Sequence, residues 1–365
     1  MDKTQKITLR RVQIPFLEPF RISNGSVAVK DSIIVEVQAG TVTGFGEASP
    51  MSGSFYSPET PESTWQALGT WLIPAILGRP FSTALPDDDP REPFARAGLE
   101  GALWDAACQL EQKPLCRMLG SDFRPIPSGV AIGIFDTIEE LLERVSRYVA
   151  EGYQRVKIKI QPGWDVEPVR AVREGLGAIH LMVDANAAYT IADLPVFQEL
   201  DRFGLIMYEQ PLAKGALEDM AELQRRVRTP VCADESAESA TALEDMIKLG
   251  SARIINIKIQ RVGGLAPARA MHDRASAAGL GCWLGTMPEL GIASAQGLHL
   301  ATLRGFIYPT DVEASRRWYA DDLIDPLLEI NGRGFLAIPP GQGSGFTVNK
   351  DKLERYTIQK MEFTA

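Results

Sequence analysis

Lys157-Ile158-Lys159, Val183-Asp184-Ala185-Asn186, Glu209-Gln210-Pro211, Asp234-Glu235-Ser236 and Asn256-Ile257-Lys258 stand at near-constant spacing within residues 128–311, and their reading decides the fold. With their neighbours, strand-like runs end at Gly133, Lys159, Asp184, Glu209, Asp234, Lys258, Gly285 and Asp311, at intervals of 26, 25, 25, 25, 24, 27 and 26 residues by subtraction. A period of that size fits a strand of about five residues, a helix of about three turns and two short loops, which is one βα unit. Eight such ends within roughly 200 residues match the count and length of a TIM-type barrel. The units share no sequence identity, so the period is architectural.

Outward from the barrel the texture changes. Ile7 to Phe16 and Ser32 to Gln38 read as strands, the second through its Ile33-Ile34-Val35-Glu36-Val37 run, and Ala39-Gly40 turns into a third strand ending near Gly46. The spacing of Ala95, Leu99, Ala102, Leu103, Ala106 and Leu110 predicts a helix over 94–110 with one apolar face, although Gly98 and Gly101 weaken it. Asp87-Asp88-Asp89 reads as a solvated loop, and Gly341-Gln342-Gly343-Ser344-Gly345, with no helix after it, as a plain loop. The expected fold class is α/β: a modified TIM barrel, (β/α)7β, over 126–320. An α+β capping domain spans 1–125, and 321–365 packs back on it.

A net charge of −9 over 365 residues argues against nucleic acid or an anionic membrane as partner, since both need a basic footprint. Residues 1–11 alternate like a strand with no apolar signal segment, and no apolar run approaches the roughly 18 residues of a membrane span. A cytoplasmic location is expected, and Cys108, Cys116, Cys232 and Cys282, without metal-like spacing, read as reduced buried thiols.

In a barrel the C-terminal strand ends surround one mouth, where active sites sit. Asp184, Glu209 and Asp234, on consecutive strands, must therefore converge, and three close carboxylates repel unless a cation sits among them. Hard oxygen ligands suit Mg²⁺, with Mn²⁺ as an alternative. His180, His272 and His299 fall outside these positions, which counts against zinc. Lys159 and Lys258 lie on strands flanking the acidic ones, and Lys157 points the same way as Lys159 by strand periodicity. Any one of these side chains alone is more often an N-cap, an edge charge or a surface ion pair. Their coincidence at five successive strand ends points to a site.

At these residues the sequence resembles the enolase superfamily. The stretch Leu99-Glu100-Gly101-Ala102-Leu103-Trp104-Asp105-Ala106 with Lys113-Pro114-Leu115 looks like the helix leading into its barrel, and the five strand-end segments look like its muconate-lactonizing-enzyme subgroup. The stretches 152–173 and 311–319 most resemble the N-succinylamino acid racemase/o-succinylbenzoate synthase family. The resemblance implies that Asp184, Glu209 and Asp234 ligate Mg²⁺, and that Lys159 and Lys258 are an acid/base pair. The metal-dependent reaction removes the proton α to a carboxylate through an enediolate. Lys157, Asn186 and Asn256 would support the site, and Arg261 would tune Lys258. Loops around Phe20 and Tyr56, with Gly285, Thr286, Met287 and Glu289, would shape the substrate pocket. A homo-oligomer acting on a small carboxylate is expected.

The chain departs from that family around the distal pocket. Gly285-Thr286-Met287 is closer to muconate cycloisomerases, Ala293 replaces an arginine, and Ala131 stands where some relatives have serine. Racemase, synthase, muconate-type cycloisomerase and dipeptide epimerase activities all remain open. A Schiff-base aldolase barrel, needing one buried lysine and no metal, and a non-catalytic binding barrel are the remoter readings.

Overall fold

The computed structural model describes residues 3–22, 25–53, 57–86 and 91–365. Tyr56 and Asp87-Asp88-Asp89 lie outside the described residues, and so does the side chain of Phe20. Among the described residues no helix is long and apolar enough to cross a membrane.

Seven parallel strands form the barrel wall: Gly129–Ile132, Arg155–Lys159, Leu181–Asp184, Tyr208–Glu209, Val231–Ala233, Ile254–Ile257 and Gly281–Leu284. Each pairs with the next in chain order, as βα units require. The expected ends at Lys159, Asp184 and Glu209 are the observed ends. Those at Gly133, Asp234, Lys258 and Gly285 lie one residue beyond. The eighth segment differs from expectation, since it is not a regular strand. It closes the wall through isolated parallel bridges, Cys282 to Phe306 on one side and Ser128 to Thr310 on the other. Pro309, which has no N–H to donate, interrupts the ladder there.

The cap is a four-stranded antiparallel sheet in the order Thr357–Thr364, Thr4–Ile22, Gly25–Ala39, Val42–Ala48, so the C-terminal strand closes against the N-terminal one. The first two strands run longer than the sequence suggests. A register shift between Pro15 and Phe20 breaks the alternation that would have marked the extension.

The helix Pro93–Leu110 corrects a second expectation. It is buried on nearly every side, between the cap sheet and the barrel, and does not present one apolar face. Its polar residues are matched by remote backbone. Glu100 accepts from Leu265 N and Ala266 N, and Asp105 from Phe45 N and Ser344 N. Its glycines permit close approach. A Cβ on Gly46 would lie 2.1 Å from Gly98 O, and one on Gly98 would lie 2.7 Å from Ala48 N. Gly46→Ala should therefore force the strand off the helix and lower the unfolding free energy by about 3 kcal/mol, measured by urea denaturation. A change under about 0.5 kcal/mol, ordinary for a neutral surface substitution, would refute the close-approach argument.

Buried Glu47 fixes the cap to the barrel mouth. It accepts from Leu290 N at 2.9 Å and Ala293 N at 3.0 Å at the start of the Gly291–Leu300 helix, where the helix dipole favours an anion.

Candidate active site

A cavity of about 450 Å³ lies between the strand ends and cap residues Glu18, Pro19 and Met51. Lys157, Lys159, Asp184, Asn186, Asp234 and Lys258 line its floor. Strand register explains the convergence: Lys159 stands beside Asp184, and Asp184 beside Glu209. Three parallel strands thus present their last side chains to one place.

The floor is a lattice of alternating charge. Lys159 Nζ donates to Asp184 Oδ2 at 2.5 Å and to Asn186 Oδ1 at 2.7 Å. Asn186 in turn donates to Glu235 Oε1 at 3.0 Å. It sits with Ala187 in the left-handed region, φ 41° and 61°, a costly conformation for side-chain-bearing residues at the strand's mouth. Lys157 Nζ donates to Asp311 Oδ2 at 2.7 Å and lies 3.2 Å from Glu209 Oε2 and 3.8 Å from Asp184 Oδ2. On the other flank Lys258 Nζ donates to Asp234 Oδ2 at 2.9 Å.

Electrostatics separate these groups. Burial works against charge on Lys157, but Asp311, Glu209 and Asp184 more than offset it and raise its pKa above the ordinary lysine value. Lys157 is therefore a fixed cation. Burial also works against Asp234, yet Lys258 and Arg261 hold its carboxyl well below the usual range. Glu209 goes the other way. Burial first, then the charge of Asp184, push it up to about 8.

The remaining sequence-derived residues divide. Thr286, Met287 and Ala131 line the cavity. Glu209 and Asn256 lie just behind the floor, Asn256 Nδ2 donating to Glu209 Oε1 at 2.9 Å. Gly285 is behind them, because a Cβ there would lie 2.0 Å from Asn256 Oδ1. Glu289 borders a smaller adjoining cavity with Tyr319, and burial pushes it up to about 8. Ala293 is buried in the helix capped by Glu47 and does not line the cavity. Arg261 braces the floor from outside: Nη1 reaches Asp234 Oδ1 at 2.5 Å, and Nη2 donates to Asn256 O at 2.6 Å.

Sequence reasoning gave no role to Asp311, Arg155, Glu313 or Arg317. Asp311 joins Lys157 to the buried guanidinium of Arg155, whose Nη2 lies 2.5 Å from Asp311 Oδ1. Its place at the end of the eighth segment was the available signal.

The donor set fits a hard divalent cation. Three carboxylates end adjacent strands, and Glu209 Oε2 is buried with no hydrogen bond although an ammonium is near. Among the described residues no three carboxylate, imidazole or thiolate groups are gathered tightly enough to form a finished cage. Lys157, Lys159 and Lys258 instead pair with the carboxylates.

Two family models cover most of this architecture. The mandelate racemase/muconate lactonizing enzyme N-terminal domain matches residues 5–120, and the enolase C-terminal domain-like family matches 140–352. The chain belongs to the enolase superfamily. Within that superfamily it is 41% identical over 357 residues to an o-succinylbenzoate synthase of Geobacillus kaustophilus, covering 96% of this chain and 95% of the relative. It is 42% identical over 365 residues to an N-succinylamino acid racemase of an Amycolatopsis species, covering 98% and 99%. A solved enolase-superfamily structure from Listeria innocua superposes with a TM-score of 0.93 at 34% identity, covering both chains completely. The chain is an enolase-superfamily enzyme of the isomerase or lyase type.

Proposed function

We propose that the chain removes the α-proton of a carboxylate substrate and racemises an N-acylamino acid. The observation that carries this reading is that Lys159 and Lys258 enter one cavity from strands on either side of the three that end at Asp184, Glu209 and Asp234. Those three carboxylates would hold a divalent cation, Mg²⁺ by the hardness of the set. When bound, that cation supplies Lewis-acid stabilisation of the charge that develops on the substrate carboxylate.

The chain's own residues do the rest. For one enantiomer the Lys159 amine takes the α-proton onto Nζ while the Lys258 ammonium delivers one to the opposite face; for the other enantiomer the roles exchange. Asn186 orients Lys159, and Arg261 holds Asp234 against Lys258. Lys157, kept charged by its acid neighbours, offsets negative charge beneath the substrate and is no base. The cap excludes water from above through Glu18, Pro19 and Met51.

The o-succinylbenzoate synthase named among the relatives supports a second reading on the same floor. There Lys159 would act as base and then as acid in loss of water, with Lys258 as a cation over the developing charge.

Polarimetry on a panel of N-acyl-L-amino acids, with and without EDTA, tests the first reading. Loss of rotation abolished by the chelator is expected. Full retention of rotation on every member, with o-succinylbenzoate formed from its precursor, would replace it with the second.

Arg261 yields a further expected result. Arg261→Met removes the brace on Asp234 and should lower divalent-cation affinity or racemisation about 10–100-fold, as loss of a hydrogen-bonded ligand support does. Calorimetric metal titration and kcat for both enantiomers check it. Unchanged values in a folded variant would reduce Arg261 to a structural ion pair with no part in the site.

A further inference from the structure

The floor accounts for the α-carboxylate end of a substrate; the outer wall of the same cavity has a different chemistry. Two residues beyond Asp311, Glu313 also lines the cavity and is 5% exposed. Its Oε1 accepts from Ala131 N at 2.8 Å. Its Oε2 makes no hydrogen bond, and neither does Arg317 Nε, 3.3 Å away. The Arg317 guanidinium lies 4.4 Å from the Trp318 ring centroid and 5.0 Å from that of Tyr148, and its Nη2 donates to Ala131 O at 3.4 Å. It offsets the charge of Glu313 and leaves the buried Oε2 without a hydrogen-bond donor.

The charge of the outer wall points the same way. Its other guanidinium, Arg144, is committed to Glu18 at 2.6 Å. Asp136 and Glu140 add two exposed carboxylates at the rim. The described outer wall thus sets four carboxylates against two guanidiniums that are already paired. A buried carboxylate with an unused acceptor is costly unless a donor reaches it, and a positively charged donor recovers most.

We propose that Glu313 determines specificity by receiving a positively charged nitrogen at the end of the substrate remote from the α-carboxylate. That nitrogen is either an amino group on the acyl part or the amine or guanidine of the side chain. The inference rests on the reading of the floor as a site of α-proton removal and adds which acyl groups and side chains the cavity takes. A cavity of about 450 Å³ has room for a substrate of dipeptide size. Burial works against charge on Glu313 and pushes it up to about 7, and a cationic nitrogen beside it would favour the ionised form.

The test uses the full-length enzyme with added Mg²⁺ and four kinds of substrate. These are glycyl-L-leucine (cationic acyl part), N-acetyl-L-lysine and N-acetyl-L-arginine (cationic side chain), N-acetyl-L-leucine (neutral) and N-succinyl-L-leucine (anionic acyl part). At least one cationic kind should exceed the neutral and anionic ones tenfold or more in kcat/KM, and which one identifies the source of the nitrogen. Glu313→Gln, which keeps an acceptor for Ala131 N, should erase that preference and leave N-acetyl-L-leucine within about threefold of its starting value. Glu313→Asp should retain part of the preference, which separates loss of charge from loss of packing.

A wild-type preference for the succinyl substrate, or a Glu313→Gln effect equal on all kinds, would overturn the proposal. If no substrate exchanges its α-proton, the racemase reading of the floor fails first, and calorimetric binding of the same panel decides the wall. Cation-selective binding lost in Glu313→Gln supports the proposal, and binding without charge preference overturns it.

Discussion

Replacing either Lys159 or Lys258 with alanine should lower racemisation by about 10²–10⁴-fold while leaving the protein folded. The two variants should not be equivalent in deuterium exchange. Each removes the base on one face, so each should still exchange the α-proton of the enantiomer whose proton faces the surviving lysine. The argument rests on placement: the two amines come from strands on opposite flanks of the acidic row, and each is tied to a different carboxylate, Asp184 and Asp234. Circular dichroism confirms folding, and NMR in D₂O reads exchange for each enantiomer separately. Loss of exchange for both enantiomers in both variants would show that the lysines act as one unit and contradict the two-face arrangement. Lys157→Ala removes a cation and no base. Its effect should fall on metal affinity, because Lys157 touches Glu209 and Asp184.

The second large effect concerns the carboxylates. Chelation should abolish activity, and returning Mg²⁺ at a hundred times its Kd should restore it and raise stability by about 2.7 kcal/mol. Glu209→Gln should remove both responses without destabilising the metal-free protein. Glu209 is held at about 8, above its ordinary value of 4.5, by burial and by Asp184. A carboxyl raised on folding contributes stability that is full below about pH 4.5 and lost as pH rises through about 8. The metal-free wild type should therefore weaken across that window, and Glu209→Gln should weaken less. Thermal unfolding in EDTA at pH 5 and pH 8 reads the difference. A steeper loss in the variant would mean that the charged form of Glu209 is already well compensated by Lys157.

Much of the site was legible because parallel strands place their last residues at one mouth. A polar residue recurring about every 25 positions at the end of an apolar run therefore has to face its neighbours. Lys159, Asp184 and Glu209 were readable to the residue for that reason. The outer wall was not. Glu313 and Arg317 follow a segment that Pro309 keeps out of the regular ladder, so no alternation marks which side chains turn inward. The helix Pro93–Leu110 misled for a related reason: Glu100 and Asp105 look like a solvent face until their remote partners, Leu265 N and Phe45 N, come into contact. Local periodicity assigns an element's face, and contacts across 60 to 165 residues decide whether that face sees water.

The claim on which everything else depends is that the floor removes a proton from the carbon next to a carboxylate. Following the α-proton signal of N-acylamino acids by NMR in D₂O with Mg²⁺ reads that step alone, whatever product follows. The account predicts that the signal disappears on at least one substrate, and that EDTA or loss of both lysines preserves it. A signal that stays at full intensity on every N-acylamino acid, with no o-succinylbenzoate formed from its precursor, or that decays equally with both lysines replaced, would contradict it.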